Sequence, residues 1–355
     1  MTSRNENSDV GKNIVVKQAV DSDIPEWQRY VGENPEATFY HRSEWKNIIE
    51  KSFGHKTYYL MALDNEKTVG ILPLVHIKSL VFGSIFCSMP FLNFGGVCAD
   101  NSEVEITLLR EAERILKSKN GDYLELRHLK QTSMSIPCKS HKVSMTIELN
   151  PDPEIVWNQF DRKHRSNVRR AEKNGLEIKH GNGELLPRFY EVMCRGWKEL
   201  GTPMYAYSFL ENIVDAMGEA IEIYIISYEG KDVAASFIGY HKDTVEGMWL
   251  SALHEYGKLQ AGYVLYWEMI KRACEKGYGQ FHLGRSSAEG GGEFFKKKWN
   301  ATPKPLYWEY ILNKSKDVPE LNVDNPKYHR AIEIWKKLPP GVTAFIGPHL
   351  AKNIP

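Results

Sequence analysis

Apolar and polar positions along this chain fall into blocks that occur twice. Residues 57–63 and 68–77 read as two strands joined by the turn Asp64-Asn-Glu-Lys, and residues 221–228 and 233–241 repeat that hairpin around Glu229-Gly-Lys-Asp. Each hairpin leads into a further apolar strand region. A helix then follows, at 102–118 in the first half and 260–276 in the second, and after it a short strand, at 123–127 and 280–285. Strand, strand, strand, helix, strand in both halves predicts two α+β units, each a mostly antiparallel sheet flanked by helices.

Between the units lies Asn150-Pro-Asp-Pro, a turn-rich break. The expected division is a first domain at 12–149, a second at 150–312, and a helical tail at 313–355. The tail carries a helix near 328–338, ends in Pro339-Pro-Gly and Gly347-Pro, and has the first domain as a candidate packing partner. A length of 355 residues is consistent with two cores, and 42% hydrophobic with 26% charged residues describes an ordinary globular chain.

Charge narrows the partners. With 46 Lys+Arg against 45 Asp+Glu the net charge is +1, so no molecule-wide field draws in DNA or an anionic surface. Attraction has to be local. The five cysteines are scattered and form no Cys-x-x-Cys pair, which excludes a zinc ribbon or disulfide framework and predicts a reducing compartment. The polar N-terminus lacks a secretory layout, so a cytoplasmic place is expected, with the inner membrane face as an alternative. Residues 80–99 carry no charge over about the length that spans a bilayer. Gly83, Pro90, Asn93, Gly95 and Gly96 interrupt them, and two buried strands are the better reading; no transmembrane segment is expected, and a peripheral membrane contact is left open.

Two constellations carry chemistry. The first is a helix expected over 154–174, closed by Gly175. Trp157, Phe160, His164, Val168 and Ala171 share one face of it, and Arg162, Arg165, Arg169 and Lys173 form the neighbouring stripe. With Glu172 as the acid close by, four cations in a row suit phosphates or a pyrophosphate as well as they suit a solvated helix face. The second is Gly284-Arg-Ser-Ser-Ala-Glu-Gly-Gly-Gly-Glu-Phe-Phe-Lys-Lys-Lys-Trp, in which Arg285 and Ser286 follow a strand and a basic helix begins near Gly292. Glycines before a helix N-terminus offer backbone N–H groups to an anion. Aromatic neighbours Phe294, Phe295 and Trp299 would strengthen the charge of Lys296, although a surface lysine cluster fits the composition equally well. Serine-hydrolase elbows and His-Glu-x-x-His motifs are absent from the sequence.

The repeated order resembles the GNAT acyltransferase superfamily, which implies two tandem GNAT-like domains. In that comparison residues 256–263, from Tyr256 to Tyr263, stand where such domains hold the pyrophosphate of acetyl-CoA, with the usual glycine pattern incomplete. More closely, Phe39-Tyr-His-Arg-Ser-Glu-Trp, Gly70-Ile-Leu-Pro-Leu-Val, Phe91-Leu-Asn-Phe-Gly-Gly-Val, Arg162-Lys-His-Arg-Ser-Asn-Val-Arg-Arg-Ala-Glu-Lys-Asn-Gly, Phe295-Lys-Lys-Lys-Trp and Trp335-Lys-Lys-Leu-Pro resemble the FemAB/FemX aminoacyltransferase family, in particular the branch associated with exosortase exopolysaccharide systems. The resemblance implies transfer of an aminoacyl or acyl group to an amine of a cell-envelope precursor, such as a peptidoglycan peptide or an exopolysaccharide-linked amine. Aminoacyl-tRNA or acyl-CoA would be the co-substrate, and no cofactor would be permanently bound. It places Lys296 and Phe295 at the reacting carbonyl and Trp249 near a substrate-contacting position. Two further readings stay open: an acyl-CoA-dependent N-acyltransferase on a sugar or lipid-linked amine, and a non-catalytic binding module of an envelope-polysaccharide system.

Overall fold

The computed structural model describes residues 14–79, 82–319 and 326–355. The strands of the first half are β1 (Ile14–Gln18), β2 (Lys56–Asp64), β3 (Lys67–Ser79), β4 (Gly83–Cys87), β5 (Cys98–Ala99), β6 (Tyr123–His128) and β7 (Cys138–Glu148). Those of the second are β8 (Glu177–Gly181), β9 (Ile221–Tyr228), β10 (Lys231–His241), β11 (Thr244–Ala252), β12 (Gln280–Ser287) and β13 (Thr302–Leu312). The helices are α1 (Ile24–Glu33), α2 (Glu44–Phe53), α3 (Ser102–Ser118), α4 (Pro153–Gln159), α5 (Arg162–Glu172), α6 (Leu186–Leu200), α7 (Tyr207–Met217), α8 (Ala261–Glu275), α9 (Gly291–Lys297), α10 (Pro326–Lys337) and α11 (Pro340–Ala351).

The repeat read from the sequence is an architectural repeat. In the first half β2 and β3 form an antiparallel hairpin, β4 follows, and α3 crosses over so that β6 lies parallel to β4. In the second, β9, β10 and β11 form the meander and α8 crosses over so that β12 lies parallel to β11. A parallel pair needs such a crossover, whereas the hairpins need only tight turns. The fold is α+β with two halves of like topology.

Those halves share one sheet, in the order β1-β2-β3-β4-β6-β13-β7-β12-β11-β10-β9-β8, with β5 attached to β3. The strands interleave at its centre. β13, last in the chain, pairs with β6 of the first half, and β7, which precedes the break at Asn150, pairs with β12 of the second. β13 and β7 pair with each other, so the halves are joined by continuous backbone hydrogen bonding. On one side of the sheet a core spans the junction, in which Phe39, Phe53 and Phe91 pack with Phe209, Phe237 and Trp249. Gly239 leaves room there, since a Cβ on it would stand 2.7 Å from the Phe39 ring.

Two expectations are corrected, and the run at 80–99 gives the two strands expected of it. The helix expected over 154–174 is two helices, because Phe160 is extended and Asp161 caps a new start, its Oδ1 accepting from the His164 N–H at 2.7 Å. The apolar face survives the break: Trp157, Phe160, His164, Val168 and Ala171 are all buried. The tail carries a second helix, α11, with Pro348 inside it, and α10 and α11 both pack on α6. Of the apolar run at 80–99, Leu80 and Val81 lie outside the described residues; the rest gives β4, β5 and an irregular loop.

Candidate functional site

β11 and β12 pair over only three residues, Thr244–Glu246 with Gln280–His282, and then part. Beyond that point β12 shifts register against β7 between His282 and Arg285, and Gly284 takes a left-handed φ of 79°. A side chain at Gly284 would stand 2.8 Å from the Gly247 carbonyl oxygen, so the parting requires glycine. In the opening lies a cavity of about 310 Å³, lined among others by Asn93, Tyr205, Ser236, Trp249, Arg285 and Lys296. Asn93 ties the first half to its wall by donating to the Tyr40 hydroxyl at 2.8 Å and the Gly247 carbonyl at 3.2 Å.

Lys296 reaches this cavity from α9. Trp299, fully buried and stacked on Tyr266 at 5.6 Å, anchors the end of that short helix, and the Glu293 carboxylate fixes its start by accepting from the Glu289 N–H at 2.6 Å. The lysine is 9% exposed, and its Nζ donates to the carbonyls of Gly284 at 3.0 Å and Arg285 at 3.2 Å. Among the described residues no carboxylate pairs with it. Burial, and then the like charge of Arg285, push the Lys296 ammonium down to about 7. Arg285 is itself pushed down to about 10, by burial and then by Arg127. Both guanidinium groups lie over the Trp308 ring, Arg127 at 4.4 Å and Arg285 at 5.3 Å. Arg127 has a carboxylate, Glu125, at 2.7 Å. The floor of the cavity is therefore cationic and short of counter-charge.

Residues 162–297 match the family model described as an acetyltransferase (GNAT) domain. Over 94 residues, 26% of this chain, the sequence is 28% identical to the lipid II:glycine glycyltransferase of Staphylococcus haemolyticus, a match spanning 22% of that relative's length. The crystal structure of FemX superposes with a TM-score of 0.63 at 13% identity, covering 84% of this chain and 98% of that one. Residues 162–297 are thus similar to a GNAT domain, and the chain as a whole is FemX-like in fold. A tandem GNAT protein from the clavulanic acid biosynthesis pathway also superposes on this FemX-like chain, with a TM-score of 0.53 at 8% identity, over 86% of this chain and all of that one.

Of the residues singled out by sequence, the FemX-like fold brings Lys296, Arg285 and Trp249 around one cavity. Phe295 turns away from it into the second core, packing edge-on against Tyr263 and Tyr266. Tyr263 also packs on His164 and Trp299, and Tyr256 packs between two cores. Ser286 is buried, its Oγ near Gly292. Arg162, Arg165 and Arg169 stand outside the cavity on α5: Arg165 donates to Asn158 at 3.0 Å and Arg169 lies over Trp157. Their helix runs beside the start of α8, where Arg170 donates to Gln260 and Asn174 to the Leu259 carbonyl. Sequence reasoning missed Asn93, Tyr205, Arg127 and Trp308, which come from four separate segments and share no spacing.

A second cavity, of about 840 Å³, is lined by the alternate residues of the same strands, Glu246 and His282, with Ser144, Thr146, His128 and His241. His282 Nδ1 lies 2.9 Å from Glu246; burial works against its cation, but the carboxylate prevails and holds the imidazole above its ordinary value. His128 is fixed by Glu309 at 2.9 Å, and its Nε2, like Ser144 Oγ and Thr146 Oγ1, is buried without a protein partner. Unpartnered buried polar atoms around a cavity suit a polar ligand. Among the described residues no group of His, Cys, Asp and Glu is placed to hold a metal ion, and no helix is long and apolar enough to cross a membrane.

Proposed function

We propose that this protein is an acyl- or aminoacyltransferase that forms an amide bond between an activated donor and an amine of a cell-envelope precursor, working in the cytoplasm. The observation that carries the reading is Lys296, a buried ammonium without a carboxylate, held at the parting of β11 and β12 in a GNAT-type half. The similarity to a lipid II:glycine glycyltransferase supports the envelope precursor as acceptor. Peptidoglycan peptide and exopolysaccharide-linked amines both fit that description.

On this reading the acceptor amine attacks the donor carbonyl, a C–N bond forms, and the carbonyl oxygen becomes an oxyanion. Lys296 and Arg285 stabilise that charge in a site with little water. The intermediate then collapses, the bond to the donor's oxygen or sulfur breaks, and the leaving group takes up the proton the amine gives up. Trp249 and Tyr205 shape the pocket for the acyl group. Phe295 acts indirectly, wedging α9 so that Lys296 points inward. The basic stripe Arg162, Arg165 and Arg169, beside the start of α8, holds donor phosphates. The polar cavity on the other strand face takes the acceptor.

Aminoacyl-tRNA is the donor favoured by the FemX-like fold, and acyl-CoA the one favoured by the GNAT family match. Incubation with labelled aminoacyl-tRNA and, separately, labelled acyl-CoA in the presence of envelope precursors tests the proposal. Label should pass to the precursor from one donor, and Lys296→Ala should abolish it. Transfer undiminished by Lys296→Ala would refute the assignment.

A further inference from the structure

The helix α11 sits with its large residues outward. Thr343, Gly347 and Ala351, one small residue per turn, are buried, and a Cβ on Gly347 would lie 3.3 Å from the Met204 carbonyl, so the helix touches the body through its smallest side. Away from that stripe Val342, Phe345, Ile346 and Leu350 are exposed, Phe345 by 75%. Ile354 beyond its end and Ile334 on α10 are exposed as well. A contiguous apolar face of this kind in water marks a surface that something apolar covers.

Its C-terminal end borders a feature of the opposite character. Lys352 and Asn353 line a cavity of about 440 Å³ together with Lys56, Lys78, Lys119, His55 and His76. No Asp or Glu lines it, and among the described residues none of the four lysines is ion-paired. His55 clamps the helix end, its Nε2 lying 2.6 Å from the Lys352 carbonyl oxygen. Burial, followed by Lys78 and the other lysines, pushes the His76 imidazole down to about 4, a sign of the positive potential there. On a chain with net charge +1 this is a local concentration of cation. A soluble anion would fill the lysine cavity and leave α11 bare; a second protein would cover α11 without needing four unneutralised lysines. An anionic bilayer satisfies both at once, with apolar side chains in the acyl boundary and phosphates among the lysines.

We propose that α11 and the lysine cavity at its C-terminal end form a docking surface for an anionic phospholipid membrane. α11 lies in the interfacial plane, and lipid headgroup phosphates sit among Lys56, Lys78, Lys119 and Lys352. This concerns the surface and not the chemistry of the cleft, so either can fail without the other.

Co-sedimentation of the full chain with vesicles of phosphatidylcholine, alone or mixed with phosphatidylglycerol, decides it. Binding is expected to the mixed vesicles and to weaken with salt. Phe345→Glu should reduce it at least about tenfold by removing one buried apolar anchor. Lys78→Glu with Lys119→Glu should cost about fivefold or more for each lysine removed. Both changes lie on exposed positions, and unchanged thermal unfolding checks that the variants fold. Failure of the wild type to bind the mixed vesicles overturns the proposal, as does equal binding by Phe345→Glu. Self-association of the wild type abolished by Phe345→Glu, with no vesicle binding, assigns the face to a second copy instead. Saturation of the lysine cavity by inorganic pyrophosphate with no vesicle binding assigns it to a free phosphate.

Discussion

Replacing Lys296 by methionine tests the electrostatics of the cleft independently of any substrate. The ammonium falls from an ordinary 10.5 to about 7 in the folded protein, because it is buried without a carboxylate and beside Arg285. In the unfolded chain it returns to about 10.4. Below about pH 7 both states are protonated, and the native state bears the whole cost of the buried charge, on the order of 5 kcal/mol at about 1.4 kcal/mol per pH unit. Between the two values the unfolded chain holds a proton that the native protein has released, so wild-type stability rises with pH through this window. From about pH 6 to about pH 9 the wild type should gain about 2 to 3 kcal/mol relative to Lys296→Met, whose side chain carries no proton. Urea unfolding of both proteins at the two pH values measures the difference, and the titrations common to both cancel. Parallel pH profiles would refute the reasoning, since they would mean that Lys296 titrates in the fold as it does in water. On the proposed mechanism the same variant should lose about a hundredfold or more in the rate of transfer, because one oxyanion donor would be gone.

Gly96→Ala should destabilise by about 2 kcal/mol in urea unfolding, since the new Cβ would stand 1.9 Å from the His128 ring, which Glu309 holds in place. Arg127→Met should cost about 3 to 5 kcal/mol by leaving the Glu125 carboxylate buried and unpaired; thermal and urea unfolding both report it. Changing Arg162, Arg165 and Arg169 together to alanine should raise KM for a phosphate-bearing donor and flatten its salt dependence while leaving kcat in place, as initial rates across a salt series would show.

Much of the fold is legible in the chain because its signals are local. The helix expected over 102–118 is α3 to the residue, and the strand expected over 221–228 is β9, since periodicity and turn residues sit within the elements they specify. α11 was missed for a physical reason. Helix periodicity is recognised by large apolar residues facing inward, and here small residues face inward while Phe345 and Ile346 face out. The break at Phe160–Asp161 was missed because the apolar spacing continues across it; the capping aspartate was the signal that could have located it. For the cleft, the glycine-rich run and Lys296 drew notice as composition, but a lysine cluster on a helix says nothing about which of three successive lysines is buried. Lys297 and Lys298 are exposed, and the anchoring of α9 through the buried Trp299 and the packed Phe295 turns Lys296 inward.

What no local pattern encodes is the exchange of β7 and β13 at the centre of the sheet, and the charge of the cleft depends on it. Arg127 comes from β6, Arg285 from β12 and Trp308 from β13, and the ring of Trp308 lies against both guanidinium groups because β13 is inserted between β6 and β7. That insertion holds Arg285 close enough to Arg127 for the neighbouring guanidinium to burden it, and Arg285 in turn burdens Lys296. Counting the groups that meet there, three cations face one carboxylate, Glu125, which is spent on Arg127. A buried excess of positive charge costs stability unless an anion arrives to neutralise it. The strand exchange therefore has a chemical consequence: it builds into the resting protein a deficit of negative charge at the point where the proposed acyl transfer would generate an oxyanion.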